Sequence, residues 1–413
     1  PELKGFTLKN GSGTRVSYSQ GGETVTHRMG GGVLSYKTYA KIQDNIFIEN
    51  GNNPEALVYS GGAIYVHLTD DVWSFDRDPV LSSGFRDEVL EITGNKYLDN
   101  YARYGKSVVV VGHDGEVDMS DSEFDIAYGE NRNVEVSEYW CAGDSRSTFN
   151  FNNSTGRTTA YDSSIYVNGE FTLVDNTATG VGLSVEQPFG DLEYAISRIV
   201  SSPQNIVTIN LANLQNSSRI EVRYPIQLVS NIILEGANNG DNREESVIDA
   251  DSIDTALHLE RISNIHINNL SIKNGVGERG GGMFISKSDS VSLSGVDIYN
   301  NSSNKGGGIH ALDSYPNLSD VTIENNDATS GRGGGIFLMS RDSDDVSDDE
   351  EAVLTDVVIK GNNVSSDDTR NPAYGGGVYT HNTSFNFQNV TMEGNYASGT
   401  DSRGGGIYAY SDQ

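Results

Sequence analysis

Cysteine, proline and basic residues are scarce in this sequence. Its 413 residues include one cysteine, 8 prolines and 28 Lys and Arg against 58 Asp and Glu, and the formal net charge is −30. The single Cys141 can form no disulfide within the chain. Because the negative charge repels phosphate and no basic stripe offsets it, we expect neither nucleic acid nor an anionic membrane surface as a partner.

Long apolar runs are missing as well. No uninterrupted apolar segment reaches the roughly 18 residues that a membrane-spanning helix needs. Residues 1–13, PELKGFTLKNGSG, lack the charged and then apolar profile of a signal peptide. We therefore expect no membrane insertion in this segment, and we expect the sequence to lie inside a longer chain. The apolar residues make up 36% of the sequence and are joined by 47 glycines, which is sufficient for a packed core.

Glycine repeats organise the chain. Two or three glycines followed by an aliphatic residue or Met recur in GGGVLSY, GGAIYVH, GGGMFIS, GGGIHAL, GGGIFLM, GGGVYTH and GGGIYAY. In the last five segments the residue after the glycines is Met283, Ile309, Ile336, Val378 or Ile407, at intervals of 26, 27, 42 and 29 residues. A period of this length is typical of a solenoid, in which each repeat closes its apolar face against its neighbours.

Short alternating segments such as VDIYNN and VTIENN follow the glycine repeats. Apolar residues two positions apart, such as Val321 and Ile323, predict a strand with one face in the core. An asparagine stands two positions after the last apolar residue of several segments, and we expect these side chains to stack at one corner as a hydrogen-bonded ladder. The predicted ladder residues are Asn10, Asn50, Asn274, Asn300 and Asn325.

Helical periodicity is confined to one segment, GDLEYAISRIVSS, which predicts an amphipathic helix at about residues 189–202. With these motifs the sequence resembles the pectin-lyase-like right-handed parallel β-helix superfamily, in particular the Gly-Gly-aliphatic and Ile-x-x-Asn repeats of surface proteins such as the chlamydial polymorphic outer membrane proteins. The resemblance implies an all-β, right-handed parallel β-helix in which this helix caps the open end of the solenoid. It also implies that VEVSEYWCAGD ends a module.

The module signals occur in inverted order. Residues 1–165 look like the C-terminal part of a β-helix module, 166–180 a junction, and 181–413 the N-terminal part of the next module. Counting from Ile407 through Gln413 and on from Pro1 places Leu3 and Leu8 at the offsets that Leu318 and Ile323 have from Ile309. We therefore expect one period of a tandem array, joined head to tail by self-association or by covalent continuation; a chance match between similar rungs is the alternative.

An acidic insertion, SRDSDDVSDDEEA, is the candidate metal site. Carboxylate clusters favour hard cations, so we expect calcium as the ligand, and the sequence indicates no other cofactor. No D-x-D-x-D-G loop is present, and a solvated acidic loop is the alternative interpretation. The candidate ligands are Asp342, Asp344, Asp345, Asp348 and Asp349.

Catalytic residues are harder to identify. The resemblance implies carboxylates with a basic residue, for which the candidates are Asp249, Asp251 and Asp254 with Arg261 or Arg223. The paired-Asp, Gly-His-Gly and Arg-Ile-Lys signatures of polygalacturonases are absent from the sequence, and we expect no enzymatic activity. His258 and His266 alternate with aliphatic residues, which predicts that both point outward to the surface.

These features favour an extracellular or cell-surface structural protein that forms a fibre or surface appendage from stacked modules. A surface adhesin that binds a glycan or a host protein is the first alternative, and the 21 tyrosines could stack on sugars. A polysaccharide lyase or hydrolase is the second.

Overall fold

The computed structural model describes residues 1–411 apart from a set of gaps. The longer gaps are 52–57, 69–88, 128–138, 143–147, 160–163, 169–181, 213–224, 238–242, 341–350 and 367–371; the shorter ones are 21–22, 59, 103–104, 112, 114, 191, 197–198, 200, 202, 244–245 and 261.

The chain forms two compact units, Pro1–Tyr161 and Asp162–Gln413. A strand at Ile165–Asn168 pairs within the second unit, so part of the segment that we expected to be a junction belongs to a sheet. The rest of that segment lies outside the described residues.

Unit 1 is built from short parallel strands in stacked sheets. Their orders are β1-β6, β2-β7-β10-β13-β16, β5-β8-β11-β14 and β9-β12-β15, and an antiparallel hairpin, β3-β4, projects from the first rung. The strands are β1 (Glu2–Lys4), β2 (Thr7–Lys9), β3 (Thr14–Gln20), β4 (Glu23–Met29), β5 (Val33–Tyr36), β6 (Lys41–Gln43), β7 (Ile46–Ile48), β8 (Ile64–His67), β9 (Leu90–Glu91), β10 (Lys96–Leu98), β11 (Val108–Val111), β12 (Glu116–Asp118), β13 (Glu123–Ala127), β14 (Tyr139–Ala142), β15 (Thr148–Asn150) and β16 (Thr155–Thr159).

Unit 2 repeats this architecture with longer sheets. Its elements are β17 (Ile165–Asn168), α1 (Leu192–Ile196), β18 (Val207–Ala212), β19 (Ile226–Gln227), β20 (Ile232–Gly236), β21 (Val247–Asp249), β22 (Leu257–Glu260), β23 (Ser263–Asn268), β24 (Ser271–Lys273), β25 (Val276–Arg279), β26 (Met283–Ser286), β27 (Asp289–Tyr299), β28 (Ser302–Lys305), β29 (Ile309–Leu312), β30 (Asn317–Glu324), β31 (Asp327–Arg332), β32 (Ile336–Met339), β33 (Glu351–Thr355), β34 (Val358–Lys360), β35 (Asn363–Ser366), β36 (Val378–His381), β37 (Ser384–Gln388), β38 (Thr391–Glu393), β39 (Tyr396–Gly399) and β40 (Ile407–Tyr410).

The sheets of unit 2 follow the repeat. The strands that come after the glycines form one sheet, β19-β22-β26-β29-β32-β36-β40, and the strands before the next glycines form another, β25-β28-β31-β35-β39. The remaining strands form a twelve-stranded sheet that includes β23-β27-β30-β33-β37 and the pairs β30-β34 and β34-β38. All-β architecture with long parallel sheets, expected from the repeats, is therefore present, and it is compatible with a solenoid.

Parallel register places equivalent residues of successive rungs against each other. Ile309 pairs with Ile336, and Ile336 pairs with Val378, all of them at most 1% exposed. In unit 1 the aromatic rings of Phe47, Tyr97 and Phe124 stack with centroids 5.5 and 4.9 Å apart. The core is thus a set of columns that run along the stack of rungs, and in these two columns the side chains are all aliphatic or all aromatic.

The predicted amphipathic helix is not present as expected. Helix α1 covers five of the about fourteen expected residues, its neighbours 191, 197 and 198 lie outside the described residues, and the long capping helix is not seen. Ala195 and Ile196 are nevertheless buried, at 0% and 3% exposure. The apolar spacing therefore marked a buried face correctly, and the first described helical residue, Leu192, follows Pro188 and Gly190, which are unfavourable inside a helix.

The triple-glycine turns bring successive rungs very close together. In the Gly306–Gly308 turn, Gly306 has a φ of 67° and supplies the left-handed conformation. A Cβ on Gly307 would lie 2.5 Å from the carbonyl oxygens of Asp327 and Gly334, closer than such atoms approach. The middle glycine is therefore required by the spacing between backbones rather than by its φ angle.

We predict that Gly307→Ala lowers the free energy of unfolding by about 2 kcal/mol, because the backbones of the turn must separate. Gly405 is the matched control, since a Cβ there would meet only the Asn395 carbonyl, at 3.1 Å. Gly405→Ala should remain within about 1 kcal/mol of the wild type. Urea unfolding followed by circular dichroism would measure both, and equal effects of the two substitutions would contradict the steric argument.

Candidate functional site

The acidic insertion, with Asp342, Asp344, Asp345, Asp348 and Asp349, lies outside the described residues, so its expected calcium site has no structural account. Among the residues that the structure does describe, no group of three or more His, Cys, Asp and Glu side chains could hold a metal ion.

The candidate catalytic acids of unit 2 take part in local contacts. Oδ1 of Asp249 accepts hydrogen bonds from Asn274 Nδ2 at 2.8 Å and from the Asp251 backbone N–H at 3.1 Å. Asp254 accepts the backbone N–H of Thr255 at 2.7 Å. Arg223 and Arg261 fall in gaps of the described chain. Oδ2 of Asp249 also lies 3.4 Å from Lys273 Nζ on the paired strand, so the described contacts of these acids are turn hydrogen bonds and one ion pair.

Buried asparagines form a continuous hydrogen-bonded ladder in unit 2. Oδ1 of Asn326 accepts the Asn301 backbone N–H at 3.0 Å and the Asn301 Nδ2 at 2.9 Å. Its own Nδ2 donates to the Ile298 carbonyl at 2.9 Å and to Oδ1 of Asn362 at 3.0 Å. Asn362 continues the ladder to Asn395, with Nδ2 to Oδ1 at 2.9 Å. The Asn326 amide thereby satisfies buried backbone groups of the preceding rung and bonds to the side chain of the next.

The ladder position is one residue after four of the five predicted asparagines: Asn301 and Asn326 follow Asn300 and Asn325, while Gly11 and Gly275 follow Asn10 and Asn274 and donate a backbone N–H to the first amide. Asn10, Asn274, Asn300 and Asn325 occupy left-handed corner positions, with φ between 53° and 57°. Of the predicted residues, Asn50 is the one in a ladder, where its Nδ2 donates to Oδ1 of Asn100 at 2.9 Å. The residues that sequence reasoning missed are Asn45, Asn95, Asn100, Asn301, Asn326, Asn362 and Asn395.

A second column consists of aromatic rings on the outer side of the glycine-flanked sheet. Ring centroids are 4.9 Å apart for His258 and Phe284, 4.3 Å for His310 and Phe337, and 5.0 Å for Phe337 and Tyr379. His258 was expected at the surface, but it is 3% exposed. Strand alternation correctly turned it away from the core, but stacking buries this outer side as well. His266 is half-buried and hydrogen-bonded to Ser292 at 2.6 Å.

The apolar columns of unit 2 end at an open rung. Ile407 pairs with Val378, which is fully buried, yet Ile407 is 38% exposed. No described strand pairs with the second edge of β40. Tyr410, on the same strand, is 49% exposed. An edge strand with exposed apolar side chains is a surface that another strand can cover.

The first rung of unit 1 is open in the same way. Leu3 pairs with Ile42 and Leu8 pairs with Phe47; the two leucines are half-buried, while their partners are at most 1% exposed. Between them, Phe6 is 58% exposed. Of the other predicted junction residues, Pro1 accepts the Lys41 N–H at its carbonyl, at 3.0 Å, and Gln413 lies outside the described residues.

A polar groove of about 450 Å³ crosses the outer face of β27, β30 and β34. Among its lining residues, Lys360 Nζ lies 2.9 Å from Glu324 Oε2. The hydrogen bond and the charge of Glu324 raise the pKa of Lys360, and the charges of Glu393 and Asp297 add to this effect. The lining residues are Asp297, Tyr299, Thr322, Glu324, Asn325 and Lys360. An aromatic ring beside hydroxyl, amide and charged groups can bind a polar ligand.

We predict that Asn326→Ala lowers the free energy of unfolding by about 3 kcal/mol or more, because the buried Asn301 N–H and Ile298 carbonyl lose this amide as their partner and Oδ1 of Asn362 loses one donor. The neighbouring Asn325→Gly is the control and should change stability by less than about 1 kcal/mol, since Gly361 and Gly394 occupy the same corner in later rungs. Denaturant titration would measure the free energy of unfolding of both variants and of the wild type. Similar unfolding midpoints for both variants would show that the amide ladder does not stabilise the stacked sheets of unit 2.

No protein-family model, curated protein or solved structure matches the chain. No helix in the described part of the chain has the length and apolar character needed to cross a membrane. The resemblance to the pectin-lyase-like superfamily therefore rests on the repeats, and the structure adds parallel strands in stacked sheets.

Proposed function

We propose that the chain is an extracellular structural protein, a right-handed parallel β-helix whose modules stack end to end into a fibre or surface appendage. The observation that carries the proposal is Ile407, which continues a fully buried column and is exposed at its end. A solenoid has no closed core of its own, and it gains stability from each rung added. Right-handedness is the general rule for parallel strand crossovers.

The ladders support a mechanical role. Backbone hydrogen bonds, asparagine amides and aromatic rings all run along the stacking direction, so pulling along that direction loads many bonds at once. The outer faces carry charge, and the net charge of −30 keeps parallel fibres apart. Calcium bound to the acidic surface would screen this repulsion and allow fibres to bundle.

An adhesin is the second candidate, and the polar groove favours it. In this function the scaffold presents the groove to a glycan, with the Tyr299 ring against the sugar and the carboxylates and amide accepting or donating to its hydroxyls.

We expect the wild-type chain to form concentration-dependent linear oligomers and Ile407→Asp to weaken their association roughly tenfold or more, because a charge replaces apolar area buried at the contact. Ile253→Asp is the control: Ile253 is 64% exposed and does not belong to the open rung. Sedimentation velocity and electron microscopy would measure both. A wild type that stays monomeric, or a control that is equally impaired, would contradict the proposal.

For the adhesin candidate, Tyr299→Ala should abolish binding to any glycan that the wild type retains on an array. Tyr315, a half-buried tyrosine outside the groove lining, is the matched control, and Tyr315→Ala should preserve binding. The candidate fails if the wild type binds no glycan or if Tyr299→Ala leaves binding unchanged.

A further inference from the structure

We infer that two copies of this chain join in one register, in which β40 of one copy adds to β5 of the next as a parallel strand, with Ile407 opposite Val33 and Tyr410 opposite Tyr36. This inference rests on the proposed function and specifies its contact. The partner is a second copy of this chain, and the two surfaces are the last rung of unit 2 and the first rung of unit 1.

The glycine turns fix the alignment. Within unit 2 each triple glycine stacks on the next, as shown by the Gly307 N–H, which donates to the Gly333 carbonyl at 3.2 Å. Unit 1 follows the same rule, because the Gly31 N–H donates to the Gly61 carbonyl at 2.9 Å. Placing the turn before Ile407 on the turn before Val33 continues this rule across the contact. Val33 is half-buried and pairs with the fully buried Ile64, so it ends its column as Ile407 does.

The apolar pairs of the two end rungs match. Inward residues five positions apart recur in both units, as in Ile42 and Phe47. The pair Leu3 and Leu8 on β1 and β2 has this spacing. So do Phe387 and Met392 on β37 and β38, and all four side chains are half-buried. In the inferred register Leu3 covers Phe387 and Leu8 covers Met392, which buries the remaining area of both pairs.

The asparagine ladder has one gap in this register. Gly11 comes opposite Asn395. Because glycine has no side chain, Gly11 offers no amide oxygen to accept a hydrogen bond from Asn395. The ladder of unit 2 begins at a glycine in the same way, because Gly275 donates its N–H to Oδ1 of Asn301 at 2.8 Å. Gly11 likewise donates its N–H to Oδ1 of Asn50 at 2.9 Å, so the gap coincides with a ladder start.

An aromatic column ends at each surface. Tyr410 lies 5.0 Å from His381, centroid to centroid, and Tyr36 lies 5.5 Å from His67. The two tyrosines are 49% and 42% exposed. Pairing β40 with β5 stacks them on each other and makes one continuous column from His381 to His67. Stacked pairs of this kind stabilise a contact beyond the area that they bury.

The charges alternate across the contact. On the outer face of unit 2, Glu324 is opposite Lys360, and Lys360 is opposite Glu393. In the inferred register Glu393 comes opposite Lys9, whose Nζ lies 3.1 Å from Glu49 within unit 1. Opposite charges therefore alternate from Glu324 to Lys9, whose own register partner in unit 1 is Ile48. Complementary charges of this kind select the partner and the register of a contact.

Disulfide trapping between two single variants tests the register. In a Cys141→Ala background, Tyr36→Cys protein is mixed with Tyr410→Cys protein under mild oxidation. Paired residues on neighbouring parallel strands are about 5 Å apart, within the range of a disulfide, and we expect a one-to-one disulfide-linked dimer in the mixture. Each variant oxidised alone should give little dimer, because its single cysteine would face a tyrosine of the neighbouring copy and not a second cysteine.

A charge exchange gives the second readout. Glu393→Lys should weaken association several-fold, because it places a second positive charge against Lys9, and adding Lys9→Glu in the same chain should restore most of it. Oligomers that form without the mixed disulfide, or Tyr410→Cys dimers linked to themselves, would overturn the register and leave end-to-end stacking intact. A wild type that does not self-associate would overturn the proposed function together with this inference, and the occupant of the open edges would not be a second copy.

Discussion

Backbone hydrogen bonding between rungs is the constraint on which the rest of this structure depends. A strand of three or four residues has no partner within its own rung, because the chain turns after it into a different sheet. Its N–H and C=O groups are satisfied only by the rungs above and below. The register of one strand therefore fixes the register of the next. Side chains that recur once per rung stack on their equivalents, which is why the core consists of columns such as Ile309, Ile336 and Val378.

The corners obey the same spacing. Neighbouring rungs lie about 4.8 Å apart, which is too close for a Cβ at Gly307 but well suited to an amide that reaches from one rung to the next. A buried asparagine can both donate and accept, so Asn326 bonds the rung on either side and leaves no described polar atom of its amide unpaired. The spacing between rungs thus explains both residue types. Glycine is needed where the backbones of two rungs touch, and asparagine is suited to corners where a side chain must reach the next rung.

Much of the fold could be predicted from the sequence, because period and alternation are direct consequences of stacking. The all-β architecture and the inward positions of Val321 and Ile323 followed from them. The site was predicted less well. Asn325 and Asn326 are adjacent in the sequence. The repeat period alone does not show that Asn325 takes the left-handed corner and that Asn326 supplies the amide of the ladder. Comparison between rungs would have done so, because Gly361 holds the corner where Asn362 holds the ladder. The burial of His258 was not predicted, because strand alternation shows which side chains face the core. It does not show that rings on the outer face, such as Phe284, stack on one another and become buried.

Charged residues have opposite effects along the stack of rungs and between outer faces that approach each other. The chain has a formal net charge of −30, and like-charged surfaces that approach side by side repel each other within a Debye length of about 8 Å at physiological ionic strength. Along the stack the described ion pairs join successive rungs, as Lys360 does with Glu324 and Lys9 with Glu49, so the same charged residues attract in that direction. Exposed apolar side chains such as Ile407 and Phe6 lie on the end rungs. The proposed end-to-end association would therefore bury apolar side chains and pair opposite charges, whereas side-by-side association would bring like charges together, and growth in one dimension requires this difference.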